Sequence, residues 1–104
     1  MVELVQILRI APGRFEDFQK RRAQVKALRD RPGAPAARYM RITTGPNAGA
    51  VAVILSFENW QAFGEYNHKL RSDPAWRELV QTGRNDPNPA VTPGDVIITE
   101  SLEL

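Results

Sequence analysis

Residues Val2 to Ile10 carry branched aliphatic side chains at most positions and stop at Pro12-Gly13, which reads as a strand followed by a turn into a helix. Two-residue alternation puts Val2, Leu4, Gln6, Leu8 and Ile10 on one face of that strand, and Glu3, Val5, Ile7 and Arg9 on the other. Both faces are mostly apolar, so both need cover. A chain of 104 residues with few helices covers only one face of its sheet by itself. A second copy of the chain is the economical cover for the other face.

Downstream, Phe15, Phe18, Val25 and Leu28 recur at helical spacings through residues 14–29, and the pattern stops before Arg31-Pro32-Gly33-Ala34-Pro35. Arg38 to Thr44 and Val51 to Phe57 read as two strands joined by Gly45-Pro46-Asn47-Ala48-Gly49, residue types that tolerate turn geometry. Asn59 is placed to cap a second helix that carries Trp60, Phe63 and Leu70 along one stripe. Asp73 and Pro74 interrupt it and open a short third helix with Trp76, Leu79 and Val80, ending at Gly83. Residues 83–94 read as a long loop, and Asp95 to Leu104 as a last strand. The order strand, helix, strand, strand, helix pair, strand is the ferredoxin-like βαββαβ arrangement: an α+β fold with a four-stranded antiparallel sheet and its helices on one face. No repeat, low-complexity tract or linker divides the chain, so residues 1–104 are expected to form one domain.

Composition narrows the chemistry. With no cysteine and His68 as the one histidine, a disulfide framework, a thiolate zinc site and a histidine-rich metal site are excluded. No glycine-rich phosphate loop, nucleophile elbow or paired-carboxylate motif is present. The longest apolar run, Ala50 to Leu55, is six residues, where a membrane span needs about twenty. With no leader-like start either, a cytoplasmic protein is expected. The net charge of +2 hides an asymmetry: residues 1–41 carry ten Lys/Arg against four acids, and six of those cations fall in residues 20–31. No aromatic residue interleaves that run as a base-stacking platform requires, so a solvated helix face is preferred over nucleic-acid binding.

The candidate site residues are polar groups that interrupt apolar faces. On the second helix Trp60, Phe63, Asn67 and Leu70 fall within about a quarter of the circumference, with Tyr66 at the edge. Asn67 then points inward, where it bonds to backbone or water or donates to a ligand, since an unpaired buried amide costs about 1–3 kcal/mol. His68 falls away from that stripe and is expected to be exposed or at a dimer edge. Arg22 lies angularly between Phe15, Phe18 and Val25; either its stem covers the core, or its guanidinium holds a carboxylate or phenolate. Gln6 interrupts the Val2, Leu4, Leu8, Ile10 face, and Glu100 interrupts Val96, Ile98, Leu102 and Leu104. Arg9 and Arg41 share strand faces with Ile7 and Tyr39 respectively, which makes a Glu–Arg pair, within the sheet or across a dimer interface, the structural expectation for Glu100. Trp60, Trp76, Tyr39 and Tyr66 read as core or cleft walls.

The stretch from Val2-Glu3-Leu4-Val5 through Ala11-Pro12-Gly13-Arg14-Phe15-Glu16-Asp17-Phe18 resembles the opening of dimeric α/β-barrel proteins, particularly the NIPSNAP-like branch. Ser72-Asp73-Pro74-Ala75-Trp76 resembles the break that recurs in that superfamily's second-helix region. The resemblance implies a homodimer whose sheets pack face to face, each subunit keeping a cleft between helices and sheet. Its members include cofactor-independent monooxygenases of polyketide pathways, haem-degrading monooxygenases, cyclases and isomerases, and the fold does not select among them. Haem-degrading relatives place a histidine where this chain has Leu79 and Val80, so neither haem nor another cofactor is expected. Two readings stay open. In one, a homodimer takes an aromatic or polyketide-like molecule into the cleft and promotes cofactor-free oxygenation or cyclisation. Asn67 and Tyr66 would polarise its oxygens, as an asparagine does in some relatives, Arg22 or Arg41 would stabilise an anion, and Gln6, Trp60, Trp76, His68 and Glu100 would surround it. In the other, the same dimer is a non-catalytic ligand-binding or interaction module.

Overall fold

The computed structural model describes residues 1–33 and 35–104; Ala34, part of the expected exit from the first helix, lies outside the described residues. The elements run β1 (Val2–Ile10), α1 (Phe15–Arg29), β2 (Arg38–Arg41), β3 (Val51–Phe57), α2 (Trp60–Arg71), α3 (Pro74–Arg84) and β4 (Val91–Glu100). The strands form one antiparallel sheet in the order β2-β3-β1-β4, the ferredoxin-like topology.

Local chemistry sets most element ends. The Asn59 side chain accepts from the Ala62 N–H at 2.8 Å and starts α2. Asp73 accepts from the Ala75 N–H at 2.9 Å, and Pro74 fills the first turn of α3, where an N–H has no partner to lose. Glu16 and Asp17 open α1, and Lys26 and Arg29 close it, each charge matching the helix dipole.

The last strand departs from expectation. It begins at Val91, opposite Ile10, and ends at Glu100, opposite Val2, leaving residues 101–104 beyond it. Pro93 and Gly94 looked like loop residues, but β4 is an edge strand, and an edge tolerates a proline that donates no ladder bond. The register slips between Gln6 and Leu8, and the Gln6 carboxamide closes the irregularity by donating to the carbonyls of Ile7 at 2.9 Å and Gly94 at 3.2 Å.

On the helix-covered face, Leu55, Phe57, Tyr66 and Leu70 form the buried core, with Leu4, Phe63 and Trp76 packed against it. Fully burying each such side chain contributes about 1.5–3 kcal/mol. The opposite face carries Val5, Ile7, Ala52, Ile54, Met40 and Ile97 by alternation. Within one chain, Met40 stays 53% and Ile97 46% exposed. The protomer is a slab 18 Å thick, enough for one sheet and one helix layer, which pack about 10 Å apart.

Candidate ligand-binding cleft

A cleft of about 250 Å³ opens between α1 and the β2 side of the sheet, lined by Phe15, Phe18, Gln19, Arg22, Tyr39, Met40, Arg41 and Val51. It exists because α1 is a poor match to an apolar surface. Of the residues expected to form its buried stripe only Phe18 is buried, and the other buried residue of the helix is Arg29. Phe15 is half exposed, its ring 5.8 Å from that of Phe18. The helix is held from its outer side: Arg21 donates to the Leu79 carbonyl of α3 at 2.9 Å.

Tyr39 is the hub of the cleft. The Arg22 guanidinium lies 5.2 Å from its ring centroid, within cation–π reach, and Arg22 Nε donates to Gln19 at 2.8 Å. At the far end of the ring, Arg29 donates to the Tyr39 hydroxyl at 3.3 Å. Arg29 is 7% exposed, and its Nε has no partner among the described residues. The ion pairs among the described residues lie elsewhere, at Arg14–Asp17, Lys26–Asp30, Arg31–Asp73 and Arg38–Glu3. Arg22, Arg29 and Arg41 thus gather around one tyrosine with no carboxylate in salt-bridge contact among the described residues.

Tyr66 stands apart from this cleft. It lines a second hollow, of about 340 Å³, with Ser56, Glu58, Ala62, Glu65 and Lys69. Burial pushes its phenol up to about 12, partly opposed by the nearby Arg29 charge, and its oxygen has no partner among the described residues. Such a group stays protonated through the physiological range and acts only as a hydrogen-bond donor or acceptor. Asp17, by contrast, is held below the usual carboxylate range by its hydrogen bond and charge contact with Arg14.

The residues singled out from sequence therefore divide. Arg22 and Arg41 meet in the cleft with Tyr39. Asn67 is half-buried and lines neither hollow, because α2 is rotated so that Tyr66 and Leu70 face the core. His68 is exposed, as the wheel indicates. Trp76 packs on the core, and Trp60 is half exposed with its ring edge-on to Phe63 at 6.0 Å. Glu100 does not pair with an arginine of its own chain; its carboxylate accepts from the Trp60 indole N–H. The register explains this. Glu100 sits opposite Val2, whereas Arg9 lies seven residues along β1, about 23 Å away, and donates to Asn47 at 2.7 Å. The ion pair across strands involves Glu3 instead, which accepts from Arg38 at 3.0 Å and Ser56 at 2.8 Å on the open face.

Arg29 was the residue the sequence reading missed. Its signal is helical spacing: it follows Arg22 by seven residues, two turns along the same side of α1. The basic run at 20–31 is otherwise consumed by structure. Arg21 binds α3, Lys26 pairs with Asp30, and Arg31 with Asp73. Among the described residues no group of acids or histidines is placed to hold a metal ion, and no helix is long and apolar enough to cross a membrane.

Residues 3–87 match the NIPSNAP family model. The chain belongs to the NIPSNAP family. Solved structures share its fold at low identity. A protein from Agrobacterium tumefaciens is 16% identical with a TM-score of 0.71, covering 98% of this chain and 94% of its own. An antibiotic biosynthesis monooxygenase, so described, from Deinococcus radiodurans is 18% identical with a TM-score of 0.59, covering 100% and 95%. A variant of MhuD that holds two manganese protoporphyrin IX molecules per active site is 15% identical with a TM-score of 0.62, covering 100% and 98%. No curated protein matches the chain. NIPSNAP-like, monooxygenase-like and porphyrin-binding proteins thus share this architecture, and identities this low carry the fold alone.

Proposed function

We propose that this NIPSNAP protein is a homodimer that binds an aromatic, polyketide-like small molecule in the cleft between α1 and the sheet. The observation that carries this reading is the pairing of an apolar, aromatic floor at Phe15, Phe18, Tyr39 and Val51 with two guanidiniums at Arg22 and Arg41. Flat rings pack on such a floor, and charge-assisted donors fix an oxygen substituent. Dimerisation is supported by the open sheet face, where Met40 and Ile97 remain exposed beside Val5 and Ile54.

For cofactor-free oxygenation or cyclisation, the substrate must lose a proton to form a phenolate or enolate. The cleft lining holds no carboxylate or imidazole to accept it. The arginines would act by stabilising the anion, which lowers the substrate's own pKa. Asn67 and Tyr66 contribute to this chemistry only if a ligand extends beyond the cleft toward α2. The absence of a base in the lining favours the second reading, a ligand carrier of the same fold. A porphyrin fits the residues poorly. His68 is exposed and lines neither hollow, and the Tyr39 hydroxyl is engaged by Arg29.

The deciding experiment incubates purified protein with a dihydroxynaphthalene, a polyketide-like ring system of a size the cleft admits, without added cofactor, following binding by calorimetry and turnover by oxygen uptake. Saturable binding that Arg22→Ala weakens supports the cleft. Turnover that Asn67→Ala slows would establish the enzyme reading, and binding without turnover the carrier reading. No saturable binding would overturn both.

A further inference from the structure

We infer that the cleft is selective for a one- or two-ring aromatic carboxylate, its carboxylate held between Arg22 and Arg41 and its rings lying on Phe18 and Tyr39. This rests on the cleft being the ligand site, and it adds the ligand's charge and size. The charge argument comes from the surplus of cations. Arg22 uses only its Nε, on Gln19, and its two terminal nitrogens have no partner among the described residues. Arg41 is exposed and hydrogen-bonds to nothing described. Behind them Arg29 is buried with an unpartnered Nε. The nearest acid in sequence, Asp30, is committed to Lys26 at 2.6 Å.

A buried guanidinium without a counter-charge is costly. Arg29 lies behind the cleft and holds the Tyr39 hydroxyl, and its positive charge adds to the field of Arg22 and Arg41 that an anion in the cleft meets directly. A carboxylate suits this geometry better than a phenol, because its two oxygens accept from planar guanidiniums in a forked arrangement. The cleft volume of about 250 Å³ lies below the roughly 300–1,000 Å³ of sites for drug-sized ligands. One or two rings fill it.

The test compares 2-naphthoate with 2-naphthalenemethanol, which has the same ring system without the charge, by fluorescence anisotropy of each probe at constant ionic strength. Naphthoate is expected to bind about tenfold tighter, the effect of a charge-assisted pair at a partly exposed site. Arg22→Gln and Arg41→Gln should each reduce that preference, weakening naphthoate by a larger factor than the alcohol. Equal binding of the two probes would overturn the carboxylate inference and leave the aromatic cleft standing. Failure of both probes to saturate would overturn the cleft itself. A preference that survives in the Arg22→Gln, Arg41→Gln double variant would show that the anion binds elsewhere, and would overturn the assignment.

Discussion

Tyr66→Phe is expected to stabilise the protein. The Tyr66 ring is 7% exposed, 5.2 Å from Phe57, in the core formed with Leu55 and Leu70. Phenylalanine keeps those contacts and removes one oxygen, which is buried without a partner among the described residues. A buried hydroxyl left unpaired costs about 1–3 kcal/mol. Taking the lower end, the variant gains about 1 kcal/mol, which for a domain of this size raises Tm by roughly 4–8 °C. Protein concentration must be held fixed, because subunit association also moves Tm. The same oxygen leaves a signature in pH. Burial raises the phenol from 10.0 to about 12, so in between the folded form keeps a proton that the unfolded chain has given up. The stability linked to Tyr66 is fully present below pH 10 and is lost as pH rises toward 12. Calorimetry across that range, with the phenolate absorbance followed in parallel, tests both effects. A lower Tm in the variant would show that the hydroxyl has a bonding partner, and an alkaline loss of stability identical to that of the unaltered protein would show that burial does not raise the phenol; either refutes the reasoning.

Three further outcomes follow from the fold. Leu55→Ala, at a residue 5% exposed in the core, should cost about 3 kcal/mol, read as a lower urea midpoint with an unchanged slope. Removing the α2 cap with Asn59→Ala should cost about 1 kcal/mol, whereas Asn59→Asp should preserve most of it, because the acceptor to the Ala62 N–H remains. On the open sheet face, a Met40→Glu, Ile97→Glu double variant should sediment as a monomer at micromolar concentration, where the unaltered chain is expected to sediment as a dimer. A monomeric unaltered chain would remove the homodimer from the proposed function.

The rules that worked from sequence are local ones. Capping side chains, the Pro74 start of α3 and the alternation of β1 depend on residues a few positions apart, so Asn59, Asp73 and Val2 to Ile10 declared themselves without the fold. The two-faced apolar strand raises the expectation of a second covering layer, and in the single chain Met40 and Ile97 stay exposed on that face. What the chain could not declare is rotation and register. A wheel with 100° per residue placed Asn67 on the inner stripe of α2, yet the helix packs with Tyr66 and Leu70 inward, because Phe57 and Leu55 across the interface select which side is buried. Glu100 looked destined for an arginine, but pairing with Val2 carries it to the end of the sheet away from Arg9 and Arg41, where Trp60 is the available donor. Arg22 and Arg41 were visible as anomalies on separate elements. Strand alternation already puts Arg41 on the face of Tyr39; only the tertiary structure brings Arg22 of α1 over that tyrosine and buries Arg29 behind it, since a site built across α1 and β2 depends on distances that no spacing along the chain encodes.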